Sequence, residues 1–182
     1  MPRDPFADPR PLIRSVYAYV AYRIGDGPDA EDVTSEAFAR ALRYRDSFDP
    51  KRGEPVGWLI GIARRCIADL ALARPTEELD EAADAAAPGD LAEDSVRRMT
   101  LQSALAQLDE AGRELIALRF GADLKARQIA ELTGKTTHDV EVALSRTPDR
   151  LRDVLAEPGR PGTAVRSELR PVRFLTPGRY SN

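Results

Sequence analysis

Residues 128–140 read Gln128-Ile-Ala-Glu-Leu-Thr-Gly134-Lys-Thr-Thr137-His-Asp-Val140: a short helical pattern, a glycine, then two threonines ahead of a second helical pattern. Small Ala130 falls where two helices would cross, Gly134 suits the turn, and Thr136 or Thr137 can cap the next helix through its hydroxyl. This is the form of a helix-turn-helix, whose physical use is to lay its second helix in a major groove with N-terminal side chains at base edges. The candidate DNA-facing residues are Arg127, Gln128, Thr136, Thr137, His138, Asp139, Glu141, Val142, Ser145 and Arg146. A plain helical hairpin produces the same pattern, so the stretch alone leaves both readings open.

Working outward, apolar residues recur at helical spacing in four groups: Leu101, Leu105, Leu108; Leu115, Ile116, Leu118, Phe120; Leu124, Ile129, Leu132; and Val140, Leu144, Leu151, Leu155. Polar breaks at Asp109-Glu110, Gly121-Ala-Asp123 and Gly134-Lys-Thr-Thr137 separate them into four helices. Pro148 lacks an N–H and pushes Thr147 out of helical geometry, so Thr147-Pro148-Asp149 reads as a new cap that kinks or splits the last helix. Upstream, Leu12, Ile13, Val16, Tyr17, Val20 and Ile24 mark a helix that stops at Gly25-Asp-Gly-Pro28. A second follows from Pro28 to about Arg45, with Asp29, Glu31 and Asp32 at the positive end of its dipole. Ser47 to Gly53 is a loop by its turn residues. A third helix spans about Pro55 to Ala73, and Gly57 and Gly61, one turn apart, predict close approach of a neighbouring helix. Residues 74–99 are acidic, alanine-rich and without apolar period, hence a flexible linker.

The fold class expected is therefore all-α: two small helical domains, 1–73 and 100–156, joined by the flexible acidic linker 74–99 and followed by an Arg/Pro-rich disordered tail, 157–182.

Composition narrows the function. The 182 residues are 31% charged and 42% hydrophobic, which is ordinary for a globular protein. No apolar run approaches the ~20 residues that span a bilayer, and the N-terminus lacks the apolar core of a signal peptide, so a cytoplasmic protein without membrane attachment is expected. A lone Cys66 and a lone His138 leave no multi-ligand metal site and no disulfide; no cofactor is expected. No GxGxxG, GxxxxGK[ST] or GxSxG string proposes a nucleotide or a serine nucleophile, so an enzyme is not expected. The net charge of −3 is segmented, reaching −6 over 75–99 and +3 over 157–182. Lysine appears only at 51, 125 and 135, leaving arginine, the bidentate partner of phosphate and guanine, to dominate the basic residues.

Taken together, the two halves resemble the extracytoplasmic-function sigma factors, bacterial subunits that direct RNA polymerase to promoters, over about Pro11 to Leu155. Asp29-Ala-Glu-Asp32-Val-Thr-Ser-Glu36-Ala-Phe38-Ala-Arg40-Ala is similar to the family's polymerase-binding helix, which implies that Asp32, Glu36, Phe38 and Arg40 grip the large polymerase subunit. Phe48-Asp-Pro-Lys-Arg-Gly53 with Gly57-Trp58-Leu-Ile-Gly-Ile62-Ala-Arg64 resembles the promoter-melting and upstream-facing segment, implying roles for Phe48, Lys51, Arg52, Arg64 and Arg65 on DNA. Lys51 and Arg52 beside an aromatic ring suit single-stranded DNA, where cations track phosphate and the ring stacks a base. Trp58 reads as core packing. Leu105-Ala-Gln-Leu108 onward resembles region four. The partners implied are core RNA polymerase, promoter DNA and, further, an anti-sigma factor.

Two departures accompany the match. The family's third helix ends in an aspartate followed by arginines, whereas Asp69 here precedes Leu70-Ala-Leu-Ala73 and only Arg74. The recognition helix carries Glu141 and Ala143 where cations are usual, and a carboxylate faces a polyanion unless it accepts from a cytosine amino group. A degenerate sigma-like regulator without promoter recognition is thus the alternative reading, and a stand-alone repressor is a third. The arginines of the tail are candidates to supply the missing phosphate contacts.

Overall fold

The computed structural model describes residues 6–73 and 100–156, and every regular element among them is helical. The linker and tail readings lie outside the described residues.

Helix α1 (Pro9–Ile24) begins a turn earlier than its apolar pattern. Pro9 needs no N–H in the first turn, and the Asp8 carboxylate accepts from Arg10 N at 3.2 Å. Gly25, at φ 100°, closes it. The Tyr17 hydroxyl donates to Asp26 in the following turn, and that bond, more than burial, pushes the phenol up to about 12. Helix α2 (Pro28–Arg43) starts on Pro28 as expected and yields after Tyr44 to a 3₁₀ turn, Arg45–Ser47. Asp49 organises the loop, accepting Lys51 N at 2.9 Å on its side chain and Arg52 N at 3.0 Å on its carbonyl. Helix α3 (Pro55–Ala73) follows. The close approach expected at Gly57 and Gly61 is not seen among the described residues: no neighbouring element comes within 4 Å of where a Cβ would stand on either.

In the second half, α4 (residues 100–106) leads to α5 (Glu110–Ile116), whose first turn is capped by Asp109 accepting Gly112 N at 2.7 Å. The apolar run does not stop there. It continues as one π turn, Ala117–Gly121, closed by Ala122 N to Ala117 O at 2.9 Å, and Asp123 then takes a left-handed φ of 54°. Helix α6 (Ala126–Thr133) ends on left-handed Gly134, and α7 (Thr137–Ala156) runs on without a break. Pro148 does not split α7, contrary to the sequence reading. Thr147 is buried, and its hydroxyl donates back to Ala143 O at 2.7 Å, so it serves the existing helix rather than capping a new one.

One hydrophobic core unites the halves. Val16, Tyr19 and Val20 of α1, Ala30, Val33 and Ala37 of α2, and Leu59, Ile60 and Ala63 of α3 form a cluster that continues through Leu118, Leu124, Ile129 and Val140. A satellite of Leu105, Leu108 and Ile116 packs on Tyr22 of α1. The two halves meet closely at Gly121, where a Cβ would lie 2.9 Å from both the N and the Cα of Tyr19. Sub-van-der-Waals distances to main-chain atoms mean that only glycine fits.

Candidate functional site

On α2, Asp32 and Glu36 stand exposed one turn apart, while Phe38 is half-buried against the core. Arg40 is committed within the fold: its Nε meets Glu36 at 2.6 Å and its NH1 meets Asp69 of α3 at 2.7 Å. The hydrogen bond to Asp69, then that to Glu36, hold the Arg40 guanidinium well above its ordinary range. Of the four residues assigned to polymerase, the two carboxylates are exposed on one face, Glu36 in a pair with Arg40, and the Phe38 and Arg40 side chains support that face. Burial holds the Cys66 thiol beneath this pair above its ordinary pKa, as expected of an inert core cysteine.

The loop before α3 builds an aromatic triad. Phe48 lies 5.2 Å from Phe6 and 5.6 Å from Trp58, Phe6 lies 5.8 Å from Trp58, and Arg45 sits over the Phe6 ring at 5.7 Å. Phe48 therefore presents a half-buried ring edged by two others, with exposed Lys51 and Arg52 close in sequence. Phe6 was not singled out in the sequence, because no periodicity connects it to a loop more than forty residues away.

Arg64 and Arg65, assigned together to upstream DNA, part company. Arg65 is exposed, whereas Arg64 reaches across to the second half, its Nε 3.0 Å from Glu114 Oε1 and its NH1 donating to Leu132 O at 3.1 Å. Glu114 also accepts from the Tyr19 hydroxyl at 3.0 Å, and its Oε2 lies 2.7 Å from Arg23 Nε, an ion pair without hydrogen-bond alignment at that nitrogen. Arg23 pairs further with Glu110. Burial by itself would lower the Arg23 pKa, but the bond to Glu110 and the charge of Glu114 win and raise it; the same Arg23 bond draws Glu110 down. Tyr19, raised chiefly by burial, is held as the neutral donor. This cluster escaped the sequence reading. Its signal was Tyr19 and Arg23, polar groups four residues apart on the inward face of α1.

The helix-turn-helix candidates divide similarly. Thr136, not Thr137, caps α7: its hydroxyl accepts Asp139 N at 3.1 Å and donates to the Asp139 carboxylate at 2.7 Å, which draws the Asp139 pKa down. Gln128 accepts Lys125 N at 2.8 Å and donates to Glu54 at 2.9 Å, tying α6 to the loop before α3. Arg127 pairs with Glu131 at 3.1 Å on an exposed face. Thr137, His138, Asp139, Glu141, Ser145 and Arg146 are exposed along α7, and Val142 is half-buried.

Among the described residues no three His, Cys, Asp or Glu side chains gather into a metal site, and no helix is long and apolar enough to cross a membrane. An all-helical body with an acidic helix face, an aromatic loop flanked by cations and an exposed helix N-terminus is built for binding macromolecules.

The comparisons give that class a family. The sigma-70 region 2 family matches residues 10–74. SigD, an ECF RNA polymerase sigma factor of Mycobacterium tuberculosis, is 35% identical over 162 residues, covering 79% of this chain and 73% of SigD. BldN, an ECF RNA polymerase sigma factor of Streptomyces coelicolor, is 31% identical over 153 residues, and the match takes in 80% of this chain but 58% of BldN. The solved sigma factor RpoE, in complex with the anti-sigma factor NepR from Bartonella quintana, shares the fold at a TM-score of 0.63 and 20% identity, over 84% of this chain and 96% of that one. The chain belongs to the ECF RNA polymerase sigma factors, which are transcription initiation factors and not enzymes.

Proposed function

We propose that the chain is a sigma subunit of two helical domains joined by the acidic linker 74–99, acting in the cytoplasm. It binds core RNA polymerase through the α2 face of Asp32 and Glu36. It meets the melted promoter strand with Phe48, Lys51 and Arg52, and the upstream duplex with Arg64 and Arg65. Helices α6 and α7 act as a helix-turn-helix on a more distant promoter element. The observation that carries this reading is the capped start of α7, where Thr137, His138 and Asp139 are exposed while Val140 anchors the helix in the core. An anti-sigma partner belongs to the same proposal.

Run-off transcription tests it: the purified chain with core polymerase should yield discrete products from a pool of genomic fragments that core enzyme alone does not transcribe. Co-purification with polymerase but no product would favour the degenerate regulator. A specific observation keeps that second reading in play. Asp69 is occupied by Arg40, and Leu72, where arginine is usual, is 86% exposed at the end of α3.

Glu141 is the sharper probe of the groove-facing assignment, because it is exposed whereas Ala143 is half-buried. Glu141→Lys should strengthen binding to a non-specific duplex and steepen its salt dependence by about one unit of log–log slope, the value of one added phosphate contact. An unchanged slope would mean that α7 does not face DNA.

A further inference from the structure

We infer that Tyr19, Arg23 and Arg64 form an oxyanion seat for a nucleic-acid backbone phosphate, and that Glu114 occupies this seat in cis while the two helical groups are packed together. The inference rests on the promoter-binding reading above. All three donors belong to the first helical group: Tyr19 and Arg23 lie one turn apart on α1, and Arg64 faces them from α3. The anion comes from the second. Glu114 Oε1 is held by Arg64 at 3.0 Å, Oε2 lies 2.7 Å from Arg23, and Tyr19 donates into the pair at 3.0 Å. A carboxylate and a phosphodiester each present two charged oxygens on one centre, and arginine pairs with both in the same way.

The burial of these groups argues for a separable contact. The side chains of Arg23 and Glu114 are 11% and 14% exposed, and Tyr19 is fully buried. An apolar trio of similar volume would hold two helices together at least as well, since desolvation offsets much of a buried pair's attraction. An apolar trio, however, would leave a sticky patch once the halves part. Two arginines and a phenol leave instead a cationic surface on the DNA-facing group. Lifting α5 and α6 away also releases Arg64 from Leu132 O. The promoter-facing Arg64 is thus masked in the packed chain, with Glu114 standing in for the phosphate.

The test uses the full chain opened in two independent ways. Glu114→Gln removes the charge at constant shape. Gly121→Val parts α1 from the π turn by a steric clash with the main chain of Ala18 and Tyr19, and leaves the Tyr19 hydroxyl and both guanidinium groups chemically intact. Separation is read from the distance between spin labels at Ser35→Cys and Ser103→Cys, both exposed, in a Cys66→Ala background. Binding to a non-specific duplex is read across salt. Both variants should lengthen the label distance, and each should steepen the log–log salt slope by about two units, roughly 0.9 for each freed arginine. Adding Arg23→Gln and Arg64→Gln should abolish that increment. Labels unmoved in both variants would overturn cis occupancy. Opened chains without the increment, or with one that survives loss of both arginines, would overturn the seat. Run-off transcription by the unmutated chain separates the two levels: product without the increment removes only the seat, whereas no product removes the promoter-binding reading beneath it.

Discussion

A chain carrying Asp32→Arg and Glu36→Arg is expected to lose co-purification with core RNA polymerase while remaining folded. The two carboxylates sit at positions i and i+4 of α2, on one face and exposed; among the described residues no cation forms an ion pair with Asp32, and Arg40 engages Glu36. Reversing both leaves four cations on that helix, with Arg40 and Arg43, opposite a partner surface suited to anions. At about 1.4 kcal/mol for each tenfold loss, even one such unit per reversed charge weakens the complex roughly a hundredfold. The cost to folding is far smaller. The Glu36 pair is an exposed i,i+4 contact worth about 0.3–0.5 kcal/mol, and Arg40 keeps Asp69 at 2.7 Å. Helicity and thermal midpoint should therefore stay close to those of the unmutated chain. A folded double variant that pulls down polymerase as before would remove α2 from the interface.

Local signals in the sequence reach as far as the elements and stop short of their packing. Pro28 and Pro55 mark helix starts, Gly25 and Gly134 mark helix ends, and apolar spacing marks α1 to α3, because caps and amphipathic periods act over one or two turns. Asp32 and Glu36 could be placed on an exposed face for the same reason. What stayed hidden depends on contacts across long stretches of chain. Tyr19 and Glu114 are 95 residues apart, and nothing near Glu114 distinguishes it from an ordinary solvated helix glutamate. The π turn was illegible too, since Leu115 to Phe120 has helical spacing whether the last turn closes over four residues or five. Phe48 reads as a loop aromatic until Phe6 and Trp58 are seen beside it. At Pro148 a local rule was applied correctly and lost: one missing backbone bond does not outweigh a helix anchored by Val140 before it and by the inward bond of Thr147.

Glycine shows the same limit most sharply, and it makes the last prediction one of opposite signs. Gly61→Ala should stabilise the protein by up to about 1 kcal/mol, because the position lies inside α3 with open space around the new methyl and alanine loses less backbone entropy. Gly121→Ala should do the reverse. Its Cβ would stand 2.9 Å from Tyr19 N and Cα and 3.0 Å from the Ala18 carbonyl carbon, all main-chain atoms that cannot rotate aside. Relief requires the π turn to move off α1, against a contact that buries Ala117 and Leu118 and aligns Glu114 with Tyr19, Arg23 and Arg64. Overpacking of this kind costs about 1–3 kcal/mol, which for a chain of this size lowers the thermal midpoint by roughly 2–12 °C. Conformation contributes nothing to the difference, because the left-handed φ in this turn falls on Asp123 and not on Gly121. Thermal unfolding of the two single variants side by side is the measurement. If Gly121→Ala melts at or above the unmutated chain, the halves are not pressed together at this point, and the arginines on the first helical group are already free to reach DNA.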